Sequence, residues 1–225
     1  MTDKTQPAPG ATDSLSARQA AIVPIAALAA AGDMARLDIA LDQGLDAGLT
    51  VSNAKEVLVQ LYAYAGFPRS LNALTALMKV LDERKQRGIE DAPGSAPSRP
   101  IPQGDALLAA GTANQTRLSG GPVQGPLFDF APVANEYLRT HLFGDIFERD
   151  NLDWHSREIA TVSMLSALPG VASQLQAHMR ISMNVGLTAP QLRQLADVLH
   201  ARVDPQSAQR ATEALDRHLQ GSSGR

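Results

Sequence analysis

The chain has no cysteine. That absence removes disulfides, thiol redox chemistry and thiolate metal sites. Aromatic residues make up only 4%, so a core must be assembled from Ala, Leu, Val and Ile, small side chains that suit close helix packing. No Lys/Arg run stands out and the net charge is −3, which leaves no electrostatic footprint for nucleic acid. No apolar run approaches the ~18 residues that a membrane span needs. The start, MTDKTQPAPGATDS, lacks an apolar signal core. The expectation is a cytoplasmic protein with neither a membrane nor a nucleic-acid partner.

What is present is an ordinary soluble composition, 44% hydrophobic and 19% charged over 225 residues, enough for one large or two small domains. Residues 1–14 are rich in Pro, Gly, Ser and Thr and are expected to form a disordered leader. Helical patterning then gives Arg18–Ala31 (with Pro24 placed to kink or delay it), Met34–Ala47, a third helix capped by Ser52, and a long helix from Leu71 to about Arg87 capped by Ser70. From Gly88 to Pro126, 13 of 39 residues are Gly or Pro, so 88–127 reads as a connector, either a linker or an arm on the surface. Within it only Asp105–Ala110 offers a short helix. A helix at about Pro132–Leu142 follows, then a helical hairpin, two final helices near 189–202 and 205–219, and a frayed tail, 220–225.

The hairpin holds two residues out of character. Glu158 shares a stripe with Val162 and Leu165, and His178 shares one with Leu175, Ile181 and Val185, so each polar group stands on an otherwise apolar face. Counting outward from the turn at Pro169, the two lie within roughly 3 Å of the same height at ~1.5 Å per residue. A facing carboxylate and imidazole can serve as an acid/base pair; equally, a buried Glu–His hydrogen bond can simply fix the hairpin.

The chain also repeats itself. Gly48-Leu49-Thr50 recurs as Gly186-Leu187-Thr188, an offset of 186 − 48 = 138 residues, and at that offset Gly32 falls on Gly170, Leu37 on Leu175 and Leu61 on Leu199. This predicts an all-α fold of two tandem hairpin-based units, 15–87 and 128–219. Glu158 and His178 fall on Ala20 and Ala40, so the polar pair belongs to the second unit alone. The first unit has its own odd segment, Tyr62-Ala-Tyr64-Ala-Gly-Phe-Pro-Arg69. Either the aromatics pack a turn and Arg69 is solvated, or a small planar acid binds there with Arg69 holding its carboxylate.

Together, HLFGDIFERDNLDWHSREIATVSMLSAL, QLQAHMRISMNVGLT and KEVLVQLYAYAGFPRSLNAL resemble the carboxymuconolactone decarboxylase family, part of the alkylhydroperoxidase-like (AhpD-like) superfamily. The resemblance implies an all-helical protein that assembles into trimers or hexamers, and for some members a cofactor-free decarboxylation of a lactone acid in aromatic catabolism. Relatives with peroxidase activity carry Cys-x-x-Cys after a Glu; here Glu158 matches that Glu but Gly170 and Ser173 stand at the cysteine spacings, so that chemistry is excluded.

A decarboxylation needs a held carboxylate, a donor for the carbonyl that receives the electrons, and a proton for carbon. His178 is the candidate acid, with Glu158 orienting it. Arg157, Arg69 or Arg180 are candidates to hold the carboxylate, and Tyr62 or Tyr64 to donate to the carbonyl. A composite site is implied, the Glu–His pair from the second unit and the Tyr/Arg segment from the first. No cofactor and no metal are expected, since none of the five His pairs with another at helical spacing. Two alternatives stand beside this lyase: a non-catalytic oligomerising or small-acid-binding protein, and another cofactor-free isomerase or lyase.

Overall fold

The computed structural model describes residues 13–222. Of the expected leader, residues 1–12 lie outside the described residues, as do 223–225 of the expected tail. Every regular element in the described chain is helical, as the sequence predicts.

Helices α1 (Ala17–Ala31), α2 (Met34–Asp46), α3 (Val51–Gln60), α4 (Tyr62–Ala65) and α5 (Phe67–Gln86) form the first group. Helix α1 opens with a capping box in which the Ser16 hydroxyl accepts from the Gln19 amide and the Gln19 side chain returns to Ser16; this satisfies amides that a helix start leaves free. It ends on Gly32, whose φ of 79° is the left-handed conformation that glycine adopts without strain. Pro24 neither delays nor breaks the helix. It sits mid-helix with every residue from Ala21 to Ala30 buried, and tertiary packing outweighs the lost hydrogen bond.

Two expected caps move. Helix α3 is capped by Thr50, not Ser52. Helix α5 starts earlier than expected, at Phe67, because Gly66 takes φ 82° and Pro68 lies in the first turn. Ser70 is therefore inside the helix, buried, and its hydroxyl donates to the Leu58 carbonyl at 2.7 Å, clipping α5 to α3.

The connector is an ordered arm. The Val51 and Ser52 amides at the start of α3 donate to the carbonyls of Ala92 and Pro93 at 3.0 and 2.9 Å, so the arm supplies acceptors for a helix end. The expected short helix is a full one, α6 (Asp105–Ser119), followed by α7 (Pro126–Phe130) and α8 (Pro132–Tyr137). The single helix expected to Leu142 instead widens after Tyr137 into a π-helical segment, Leu138–Ile146. The widening lies where α6 docks: a Cβ on Gly111 would come 1.8 Å from the Arg139 carbonyl oxygen, so only glycine permits this approach.

The last group is α9 (Trp154–Ala167), α10 (Ala172–Asn184), α11 (Ala189–Arg202) and α12 (Pro205–Ser222). Asp153 caps α9, its carboxylate accepting from the Ser156 amide at 2.9 Å. Adding 138 to the starts of α2, α3 and α5 gives 172, 189 and 205, the starts of α10, α11 and α12. Helices α1 and α9 pack on each other at the centre of one continuous apolar core that includes Ile22, Leu41 and Leu58 from the first group and Ile159, Leu195 and Leu215 from the last. Among the described residues no helix is long and apolar enough to cross a membrane.

Candidate functional site

Helices α9 and α10 are antiparallel arms, and the register counted from Pro169 holds. His178 Nδ1 lies 2.8 Å from Glu158 Oε2. Glu158 is fully buried and His178 is 7% exposed. With the carboxylate as acceptor, Nδ1 carries the proton and Nε2 is left for other work. The second carboxylate oxygen of Glu158 is buried without a hydrogen-bond partner.

The first group reaches across to this pair. Tyr64, in the short α4, stands edge-on to the His178 ring with 5.6 Å between centroids. Its hydroxyl is buried without a hydrogen-bond partner. Burial, with the Glu158 carboxylate nearby, pushes the phenol far above its ordinary pKa and holds it neutral. The neighbouring Thr161 hydroxyl weighs weakly the other way, but it is not in hydrogen-bonding geometry with Tyr64: it donates to the Arg157 carbonyl and accepts from Gln60 Nε2. Ser182, one turn beyond His178 on the same stripe, also has a buried hydroxyl without a partner. An unpaired carboxylate oxygen in the Glu–His pair and two unpaired hydroxyls near it are a feature that a closed, polar ligand site would have.

Tyr62 lies on the outer side. Its ring stacks on Phe67 at 4.4 Å and meets His141 edge-on at 5.4 Å. His141 Nδ1 is 2.8 Å from Asp145 Oδ2, an exposed pair on the π-helical segment. The i, i+4 spacing of His141 and Asp145 is the sequence signal for this pair. An aromatic and aliphatic cluster, including Leu118 of α6, Leu142 and Phe147 of the arm and Ile181 of α10, packs against both tyrosines. The connector thus roofs the α4–α10 contact.

The three candidate arginines stand elsewhere. Arg157 is fully buried and donates to Glu56 Oε2 at 3.0 Å, to Gln60 Oε1 at 3.2 Å and to the Arg149 carbonyl at 2.8 Å. Glu56 also receives a forked pair of bonds from Arg149. Burial alone would raise the Glu56 carboxyl, yet bonds from Arg149, Asn151 and Arg157 outweigh it and hold it below the ordinary glutamate range. Arg157 is therefore an internal bolt between α3 and α9. Arg69 lies beside the turn from α1 to α2, its guanidinium carbon 3.8 Å from where a Cβ on Gly32 would stand. Arg180 is exposed on α10. The structure thus brings together Glu158, His178 and Tyr64, with Tyr62 adjoining, while Arg157 is bonded to Glu56 and Gln60, Arg69 lies beside the α1–α2 turn and Arg180 is exposed. Among the described residues no three His, Asp or Glu side chains converge as a metal would require.

Residues 8–79 match the profile of the family described as "Carboxymuconolactone decarboxylase family". The 4-carboxymuconolactone decarboxylase of Acinetobacter baylyi (strain ATCC 33305 / BD413 / ADP1) is 31% identical over 74 residues, covering 33% of this chain and 53% of the relative. Residues 8–79 are thus similar to the carboxymuconolactone decarboxylase family. It spans about half the length of that curated relative. The matched segment contains Tyr62, Tyr64 and Arg69, whereas Glu158 and His178 lie beyond it.

Proposed function

We infer that the protein is a cofactor-free lyase of the carboxymuconolactone decarboxylase type, acting on a small lactone or carboxylic acid. The observation that carries this reading is the convergence of His178, Glu158 and Tyr64 with polar atoms left unpaired in a buried setting. In the reaction, the bond to the departing carboxylate breaks, carbon dioxide leaves, and the electron pair runs into a conjugated carbonyl. The neutral Tyr64 hydroxyl donates to that carbonyl oxygen. His178 delivers the proton to carbon from Nε2, while Glu158 holds Nδ1–H and steadies the imidazolium before transfer. Arg157 acts at a distance, fixing α9 against α3 and so setting the height of Glu158.

The two groups of helices are, on this reading, duplicated units whose site is composite within one chain. The coincidence of helix starts at an offset of 138 residues supports it. Self-assembly into a trimer or hexamer belongs to the same proposal; Phe67, Leu71 and Met78 form an exposed apolar stripe on α5 that an assembly would cover.

A second reading has an observation of its own. His178 is nearly enclosed and Arg157 is committed to Glu56, Gln60 and the Arg149 carbonyl, which favours a purely structural pair in a non-catalytic protein. A panel of small lactone and muconate-type acids, screened by thermal shift against wild type and His178→Ala, separates the two. A compound that raises the midpoint of the wild type alone, and is then turned over with loss of carbon dioxide, supports the lyase. No binder, with a large loss of stability in His178→Ala, supports the structural reading.

A further inference from the structure

Tyr64 has a counterpart. At the offset of 138 residues it falls on Arg202, and His178 falls on Ala40. The structure puts these counterparts together as it puts Tyr64 and His178 together: Arg202, at the end of α11, lines a cleft of about 180 Å³ on the α1–α2 hairpin, with Ala40 in its wall. The floor is apolar, made by Pro24, Leu28, Ile39 and Ala40, and the rim carries Arg36, Gln43 and Arg202. Where the second hairpin presents a buried Glu–His pair to a tyrosine, the first presents an apolar wall to an arginine.

The charges around this cleft are unevenly matched. Arg36 is committed: it donates to the Arg202 and Val203 carbonyls at 2.9 and 2.6 Å and pairs with Asp33 at 3.4 Å. In doing so it covers carbonyls at the end of α11, whose negative end would otherwise repel an anion. The acids further along α2 also have cations, Asp38 with Lys79 and Asp42 with Arg84 and Arg87. Arg202 has one neutral partner, the Gln43 side chain, and no carboxylate among the described residues. Its guanidinium therefore keeps N–H donors directed to no acidic group, beside an apolar floor.

We propose that this cleft is a second ligand site, specific for a small monocarboxylate with a compact apolar body, whose carboxylate takes the free side of the Arg202 guanidinium and whose body lies on Pro24, Leu28 and Ile39. A guanidinium and a carboxylate pair by charge-assisted, commonly forked, hydrogen bonds, and the small volume limits the body to about one ring. The proposal is independent of whether His178 is catalytic, since the cleft shares no side chain with the Glu158–His178–Tyr64 group.

Sodium benzoate is the probe, titrated by calorimetry into the full-length protein and three variants. Wild type is expected to bind. Ile39→Glu puts a carboxylate at a half-exposed position on the cleft wall, leaves the core intact, and is expected to abolish binding. Arg202→Gln is expected to weaken it at least ~10-fold, the effect of about one charge-assisted hydrogen bond. His178→Ala is expected to bind within ~2-fold of wild type. Absence of binding to wild type overturns the proposal; so does undiminished binding to Ile39→Glu or to a folded Arg202→Gln, and so does loss of binding in a folded His178→Ala, which would move the ligand to the other hairpin. If Arg202→Gln fails to fold, Ile39→Glu decides alone.

Discussion

The Tyr64 ring stands edge-on to the His178 ring, 5.6 Å between centroids, although the two residues lie in different helical groups of the chain. The ring contributes packing; the buried hydroxyl contributes none, because it has no hydrogen-bond partner. Tyr64→Phe should therefore keep the fold and lose no stability, and removal of an unsatisfied buried donor is expected to raise it by up to ~1 kcal/mol. Activity on a lactone acid should fall by ~10²–10³ with little change in KM, as for loss of one preorganised donor. Denaturant melts beside steady-state kinetics check both halves; a large stability loss would mean the hydroxyl is structural.

Glu158 and His178 should not behave additively. Removing either partner leaves the other buried and unpaired, a cost of about 3–5 kcal/mol for a buried charged pair. The double variant Glu158→Ala/His178→Ala leaves no stranded group. Alanines at the positions 138 residues earlier, Ala20 and Ala40, already pack in the first hairpin. The double-mutant cycle is expected to show a coupling of ~1–3 kcal/mol, with the double variant much less destabilised than the sum of the singles.

Glu56 links stability to pH with a definite sign. Its carboxyl titrates below the ordinary value of 4.5 because Arg149, Asn151 and Arg157 bond to the ionised form. A depressed folded-state pKa means the stabilisation is fully present above that ordinary value and is lost as pH falls through the lower, folded-state value. Glu56→Gln should lose about 3–5 kcal/mol at pH 7, since it strands the fully buried Arg157, and its stability should vary less below pH 4.5 than that of wild type. Urea melts from pH 3 to 7 test this; parallel curves for the two proteins would refute it.

Gly111→Ala should loosen the roof. An added Cβ would meet the Arg139 carbonyl oxygen at 1.8 Å and its carbonyl carbon at 2.7 Å, backbone atoms that cannot swing aside. A loss of ~1–3 kcal/mol is expected from overpacking. Hydrogen exchange should rise across 105–119 and 138–146 and leave α1 and α9 unchanged. Equal exchange everywhere would show that the arm is not an independently detachable layer.

The parts of this molecule that could be read in advance are those set by local geometry. The Glu158–His178 contact follows from counting along two regular helices from one turn, and the starts of α9 and α11 follow from their caps, Asp153 and Thr188, each accepting from a backbone amide of the first turn. What escaped depends on distant partners. Arg157 looks like a ligand-binding arginine at a helix start, but Glu56, which neutralises it, lies 101 residues upstream. Helix α6 has a middle of Gly, Thr, Asn and Gln with no apolar period, so only docking against the π-helical segment reveals it. Ser70 resembles a cap until Gly66 takes that place and turns it inward.

The crossing of α4 onto α10 also has a consequence in time. During synthesis Tyr64 emerges 114 residues before His178 (178 − 64), which at ~5–20 residues per second is a wait of roughly 6–23 s. Through that interval the first hairpin must shield its half of the apolar core without its partner, and the Glu–His–Tyr group cannot yet form. Assembly of the Glu–His–Tyr group therefore waits on the second hairpin and cannot be the first tertiary step of folding.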